Sequence, residues 1–64
     1  MKTGDRIMTP RFCTVTIEEV FDTYEDALAA GYREPTHYRS AEWGVVGRSI
    51  DLYHMTFAAY RKGA

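Results

Sequence analysis

Residues 12–31 read FCTVTIEEVFDTYEDALAAG, and the change of period inside this stretch decides the fold. From Phe12 to Glu18, Cys13, Val15 and Ile17 alternate with Thr14, Thr16 and Glu18. Successive side chains of a strand point to opposite faces, and β-branched residues suit that pleat. The segment is therefore expected to be a strand with one buried face. Val20 and Phe21 extend it or pack just after it. The period then lengthens. Thr23 suits an N-cap, because its hydroxyl can accept from a free N–H of the first helical turn. Glu25 and Asp26 follow at the positive end of the helix dipole, with Asp26 placed to complete a capping box. Ala27, Leu28, Ala29 and Ala30 are strong helix formers, and Gly31 stands where a left-handed C-cap belongs. The spacing predicts about two helical turns, with Tyr24, Ala27 and Leu28 toward the sheet and the acids outward.

Downstream, Pro35 biases Glu34 toward an extended conformation, so 33–36 reads as a connector. Tyr38 to Ile50 mixes the strand formers Tyr38, Trp43, Val45, Val46 and Ile50 with Gly44 and Gly47. Glycines inside a strand point to a bulge, a bend or the close approach of another backbone. In the last segment Tyr53, Met55, Phe57 and Ala59 alternate with His54, Thr56, Ala58 and Tyr60. A helix capped by Ser49 and stopped by Arg61, Lys62 and Gly63 competes with this reading. The strand is preferred because it gathers Tyr53, Met55 and Phe57 on one face. Arg48 to Leu52 then form the hairpin loop. The expectation is an α+β domain over 11–64 of order β-α-β-β. An antiparallel sheet of about three strands carries one short helix on one face. Met1 to Pro10 lacks the apolar core of a secretory signal and reads as a flexible tail.

Composition narrows the class. Sixty-four residues make one domain, and a chain this short buries only about 60% of the surface its unfolded form exposes. Hydrophobic residues are 45% and aromatics 14% of the chain, which argues against disorder and leaves more aromatic surface than a thin core hides. A homodimer or a partner surface is the expected consequence. The single cysteine, Cys13, permits no internal disulfide. It is expected to be buried in the first strand, in a reducing, cytoplasmic setting. No run approaches the roughly 20 apolar residues of a membrane span.

Chemistry-bearing motifs are sparse. His37, His54 and Cys13 lack the close pairing of metal ligands, so no metal or cofactor is expected. Cys13, His54 and an acid have no triad-like spacing, and the chain is not expected to be an enzyme. Gly44 to Ser49 lacks the full glycine spacing and the Gly-Lys-Ser/Thr ending of a phosphate-binding loop.

Charge is the stronger clue. Glu18, Glu19, Asp22, Glu25 and Asp26 fall within nine residues, although the formal charge of the chain is only -1. Residues 1–32 set Lys2, Arg6 and Arg11 against these five acids and Asp5, a balance of -3. Residues 33–64 set Arg33, Arg39, Arg48, Arg61 and Lys62 against Glu34, Glu42 and Asp51, a balance of +2. Capping accounts for Glu25 and Asp26 but not for Glu18, Glu19 and Asp22. Clustered carboxylates repel one another unless a basic surface answers them. The expected function is a protein–protein interaction module that blocks a basic, nucleic-acid-binding surface of another protein. Inhibitors encoded by phage or mobile elements are one setting for such a device. The five acids would steer binding, and Tyr24, Tyr32 and Tyr38 would anchor it. One alternative is RNA or single-stranded DNA binding through Arg39, Trp43, Arg48, Tyr53, Tyr60, Arg61 and Lys62. These residues mix stacking platforms with phosphate contacts, but a pI near 6.0 weighs against that use. A structural homodimeric subunit is the other alternative.

Overall fold

The computed structural model describes residues 1–62. Its elements are β1 (Arg6–Thr9), β2 (Cys13–Phe21), α1 (Tyr24–Ala29), β3 (Glu34–Pro35), β4 (Trp43–Ser49) and β5 (Met55–Arg61). The α+β class is as expected, but the sheet has five strands rather than about three. It is mixed and curled, in the order β1-β2-β5-β4-β3. β2 runs parallel to β5, and every other neighbouring pair is antiparallel. The excursion through α1, β3 and β4 returns the chain beside β2, so the last strand lies at the centre of the sheet. The final segment is a strand, as alternation indicates. Gly63, the stop signal of the competing helix, lies outside the described residues.

Two strands were not anticipated. Arg6–Thr9, read as part of a loose tail, pairs with β2 as Arg6↔Thr16 through Thr9↔Cys13. Four residues are too few to show a period, and an edge strand needs little apolar patterning. Glu34–Pro35, read as a connector, pairs with Gly47 and Val46. Proline fits there because β3 is an edge and its missing N–H faces no partner. The flanking Arg33 and Thr36 N–H groups donate to the carbonyls of Gly47 and Val45, at 2.9 and 3.1 Å.

Helix α1 begins as its sequence indicates. The Thr23 hydroxyl accepts from Asp26 N–H at 3.1 Å, although no bond returns from the Asp26 carboxylate among the described residues. Gly31, at φ 96°, closes the helix. Its N–H donates to Leu28 O, and Tyr32 N–H donates to Ala27 O. This is the paired Schellman arrangement that satisfies the last carbonyls. Arg33 Nη1 and Arg48 Nη1 add bonds to the Leu28 and Ala30 carbonyls, at 3.0 and 2.9 Å. Cations thus sit at the negative end of the helix. Ala27 is buried against the sheet, Leu28 is half-buried and Tyr24 stays exposed.

The sheet is buried on both faces at its centre. On one face Val15, Ile17, Val45 and Ala59 form a core, flanked by Phe12, Tyr38, Trp43 and Phe57. On the other, Val46 and Ala58 pack with Ala27 of the helix and with Tyr32. A bulge in β2 serves both. The register shifts between Ile17 and Glu19, leaving Glu18 as the extra residue. Val20 then rejoins the face of Val15 and Ile17, while Phe21 turns to the helix side. Without the bulge, strict alternation would place Glu19 beside Ile17 in the core.

Cys13 is exposed rather than buried. It stands at the hairpin end of β2 with a φ of 58°, where its side chain borders an open hollow with Met8, Pro10 and Tyr38. The turn before it is held by the Thr9 hydroxyl, which accepts from Phe12 N–H and donates to Cys13 O, both at 3.0 Å.

The β4 glycines are also not bulge sites. Gly44 pairs with Tyr60 and Gly47 with Phe57, so each glycine lies beneath an aromatic ring. A Cβ on Gly44 would come within 2.2 Å of the Tyr60 ring. Gly44→Ala is expected to expel that ring and cost about 1–3 kcal/mol by overpacking. A urea melt measures the loss. A spectroscopic titration locates it, because burial, and then Tyr24, hold the Tyr60 phenol above its ordinary pKa. That elevation should disappear in the variant.

Candidate interaction surface

The acidic run occupies the bulged end of β2, the following loop and the first turn of α1, and all five carboxylates are exposed. They do not form one undivided patch. Glu18, the bulge residue, borders a groove with Phe12, Thr16, Tyr53 and Phe57. Glu19 lies on the helix side, where Oε1 accepts from the Tyr32 hydroxyl at 3.2 Å. Asp22 and Glu25 meet around Tyr24 in a hollow of about 490 Å³, closed on its far side by Tyr60, Arg61 and Lys62. Asp26 continues the acidic edge along the helix.

Arg61 and Lys62 are near enough to matter, yet both are held elsewhere. The Arg61 guanidinium lies 5.1 Å from the centre of the Trp43 ring. Lys62 Nζ donates to Ser40 O at 2.9 Å. Among the described residues the oppositely charged or chargeable pairs in contact are Arg11–Glu34 at 3.3 Å and the His54 ring with Asp51 at 2.9 Å. None involves the acidic run.

Of the three tyrosines expected as anchors, only Tyr24 is exposed, at 38%. Tyr32 is fully buried and cannot be an exposed anchor. It follows the glycine cap, which turns it under the helix. There Phe21 meets its ring edge-on at 5.8 Å, and Arg48 covers the ring at 4.8 Å. Tyr38 is half-buried against the helix-free face.

The alternative, nucleic-acid set is scattered. Trp43 lies beneath Arg61 on the helix-free face, while Arg48 and Tyr60 belong to the helix side. Arg48 is occupied by Ala30 O and Tyr32, so it is a helix-capping residue rather than a free phosphate contact. Tyr60 packs on Tyr24 at 5.0 Å. Arg39 is exposed beside Met8, Pro10, Cys13 and Tyr38. Tyr53 is 90% exposed in the β4–β5 loop. No single face collects these groups.

That loop covers 50–54, so Arg48 belongs to β4 rather than to the turn, and Tyr53 and His54, expected in the last strand, belong to the turn instead. Ile50, Leu52 and Tyr53 are large apolar side chains at 57%, 91% and 90% exposure. They stand on an ordered turn. Asp51 Oδ1 accepts from Tyr53 N–H and His54 N–H, both at 2.7 Å, and His54 Nδ1 lies 2.9 Å from Oδ2. These contacts, led by Tyr53 N–H and followed by the His54 ring, hold the Asp51 carboxyl below its usual pKa. The available signal was an Ile-x-Leu-Tyr run placed where a polar turn would be expected. Comparisons with protein-family models, curated proteins and solved structures find no match to this chain.

Proposed function

We propose that this chain is a protein–protein interaction module whose acidic shoulder occupies a basic, nucleic-acid-binding surface on another protein. The carrying observation is that Asp22, Glu25 and Asp26 are exposed and, among the described residues, make no ion pair, while Arg61 and Lys62 across the hollow lie against Trp43 and Ser40. A group of exposed carboxylates beside and within a short, capped helix offers negative charge where a phosphate backbone would lie. Complementary charge of this kind speeds encounter and selects the partner. Tyr24 contributes apolar area at the centre of the shoulder, and Glu19 completes its sheet-side edge. Inhibition by competition with nucleic acid is the mechanism that follows.

The test uses the tagged chain as bait in extract of its native host, with mass spectrometry of the captured proteins. A basic nucleic-acid-binding protein should be retained at low salt. It should elute as ionic strength rises through the range where the Debye length falls from about 10 to 3 Å. An excess of oligonucleotide should displace the bait. Asp22→Lys/Glu25→Gln should bind that protein at least about tenfold more weakly while keeping a wild-type circular dichroism spectrum. Equal affinity in the double variant removes the acidic shoulder from the interaction.

A further inference from the structure

We infer that the hollow between the β1–β2 hairpin and the segment after β3 binds a small amphiphilic acid, a free carboxylate on an alkyl chain. The hollow measures about 460 Å³ and is lined by Met8, Thr9, Pro10, Cys13, Tyr38 and Arg39. That volume lies within the roughly 300–1,000 Å³ usual for small-molecule sites. Its wall is mostly apolar. Met8, Pro10, the Cys13 thiol and the Tyr38 ring form it, while the Thr9 hydroxyl is already engaged by Phe12 N–H and Cys13 O. Arg39 is the one charged residue on the wall. Among the described residues no acid lines the hollow, and no carboxylate pairs with Arg39. An apolar wall beside a guanidinium without an acidic partner fits a ligand with an apolar body and an anionic end.

Both sides of the hollow are held in place by the fold. They come from opposite ends of the curled sheet, the β1–β2 turn and the chain leaving β3. Thr9 pins the turn through its two bonds. On the other side Thr36 is buried, and its N–H and hydroxyl both donate to Val45 O, at 3.1 and 3.3 Å. His37 follows at φ 56°. Beyond it Tyr38 packs on the helix-free core while Arg39 stays exposed. The Arg11–Glu34 pair at 3.3 Å spans the same two segments. A ligand entering walls fixed in this way forfeits little chain entropy of the protein. Met8, 68% exposed, is the apolar area an alkyl chain would cover, and its unbranched thioether adapts to that shape. None of these residues belongs to the acidic shoulder, so this inference stands or falls independently of the proposed function.

Nuclear magnetic resonance titration of the full, isotope-labelled chain with decanoate, kept below its micelle concentration, tests it. Amide shifts should saturate and centre on Met8 to Cys13 and on Tyr38 and Arg39. Cys13 is the only cysteine, so its alkylation by iodoacetamide should slow as the hollow fills. Arg39→Gln should lower decanoate affinity about three- to tenfold and leave the affinity for decanol, the uncharged analogue, unchanged. Met8→Asp sets a carboxylate in the apolar wall and should abolish binding of both, with a wild-type circular dichroism spectrum because Met8 is exposed. Four results would overturn the inference: no saturable shift, shifts gathered at the β4–β5 loop, alkylation of Cys13 indifferent to decanoate, or an Arg39→Gln variant that lowers neither affinity or both alike. Flotation of the wild-type chain with anionic lipid vesicles, with no response to free decanoate, would also overturn it and assign the hollow to a bilayer.

Discussion

Tyr32→Ala is expected to leave the domain largely unfolded at room temperature. Removing a large buried aromatic costs about 3–5 kcal/mol, and a chain of 64 residues has a total stability of only roughly 3–10 kcal/mol. Tyr32 is the largest fully buried side chain. It stands between the helix and the sheet, with Ala27, Val46 and Ala58 around it, Phe21 at its edge and Arg48 over its face. Ala27, Val46 and Ala58 are too small to fill the void, and Arg48 is tied to the Ala30 carbonyl. Loss of the helical circular dichroism signal and of cooperative melting would be the readout. A cooperative transition within a few degrees of wild type would show that the helix side contributes little. Tyr32→Phe separates ring from hydroxyl. It keeps the packing and removes only the bond to Glu19, for an expected loss of about 0.5–1.5 kcal/mol. The lower end is favoured, since Glu19 is exposed and water replaces its donor.

Ile17→Ala is the counterpart on the opposite face, with an expected cost of about 2–5 kcal/mol. Ile17 is completely buried among Val15, Val45 and Ala59. It is also the last residue of β2 before the register shift, and it pairs with Phe57 of β5. Its N–H donates to Asp5 O at 2.8 Å and its carbonyl accepts from Gly4 N–H at 2.7 Å, so the N-terminal residues dock beside it. The alanine variant leaves those backbone bonds intact and opens a cavity beneath them. Chemical denaturation should show a lower midpoint at an unchanged m-value. Ile17→Val, which removes one methylene, should lose about 0.5–1.5 kcal/mol. A loss below that range for the alanine variant would mean that the helix-free face is loosely packed. Because the two clusters lie on opposite sides of the sheet, the costs of Ile17→Val and Tyr32→Phe should add in the double variant.

These two results bear on function through the same geometry. The acidic shoulder is held by α1, and α1 is held by Tyr32. A variant that loosens the helix side should therefore weaken any partner of Asp22 and Glu25. The wall of the hollow at Cys13 includes Tyr38, which packs on the cluster that holds Ile17.

Local chemistry was legible from the chain. The strand at Val15 and Ile17, the helix opened by Thr23 and closed by Gly31, and the strand character of Met55 to Tyr60 all follow from period, capping and left-handed φ. Each depends on residues within a few positions of one another. What escaped was set by distant partners. The five-strand order, with β5 inserted parallel to β2, depends on which faces are left to bury once α1 has docked. The short strands β1 and β3 exist because paired edges lay next to them, not because their residues alternate. Tyr32 looked like an exposed anchor because a tyrosine after a helix-ending glycine has no local reason to be buried; the Schellman turn and Arg48 place it under the helix. Cys13 fits the alternation and is still exposed, because it stands at the hairpin end of the strand, at a positive φ and beyond the packed core. The acids are contiguous in sequence, but the bulge at Glu18 divides them between two faces of the sheet. Short-range periodicity and capping therefore determined the elements, while side-chain direction at the bulge, the hairpin and the helix end was decided by tertiary packing, where burial on two faces outweighs local preference.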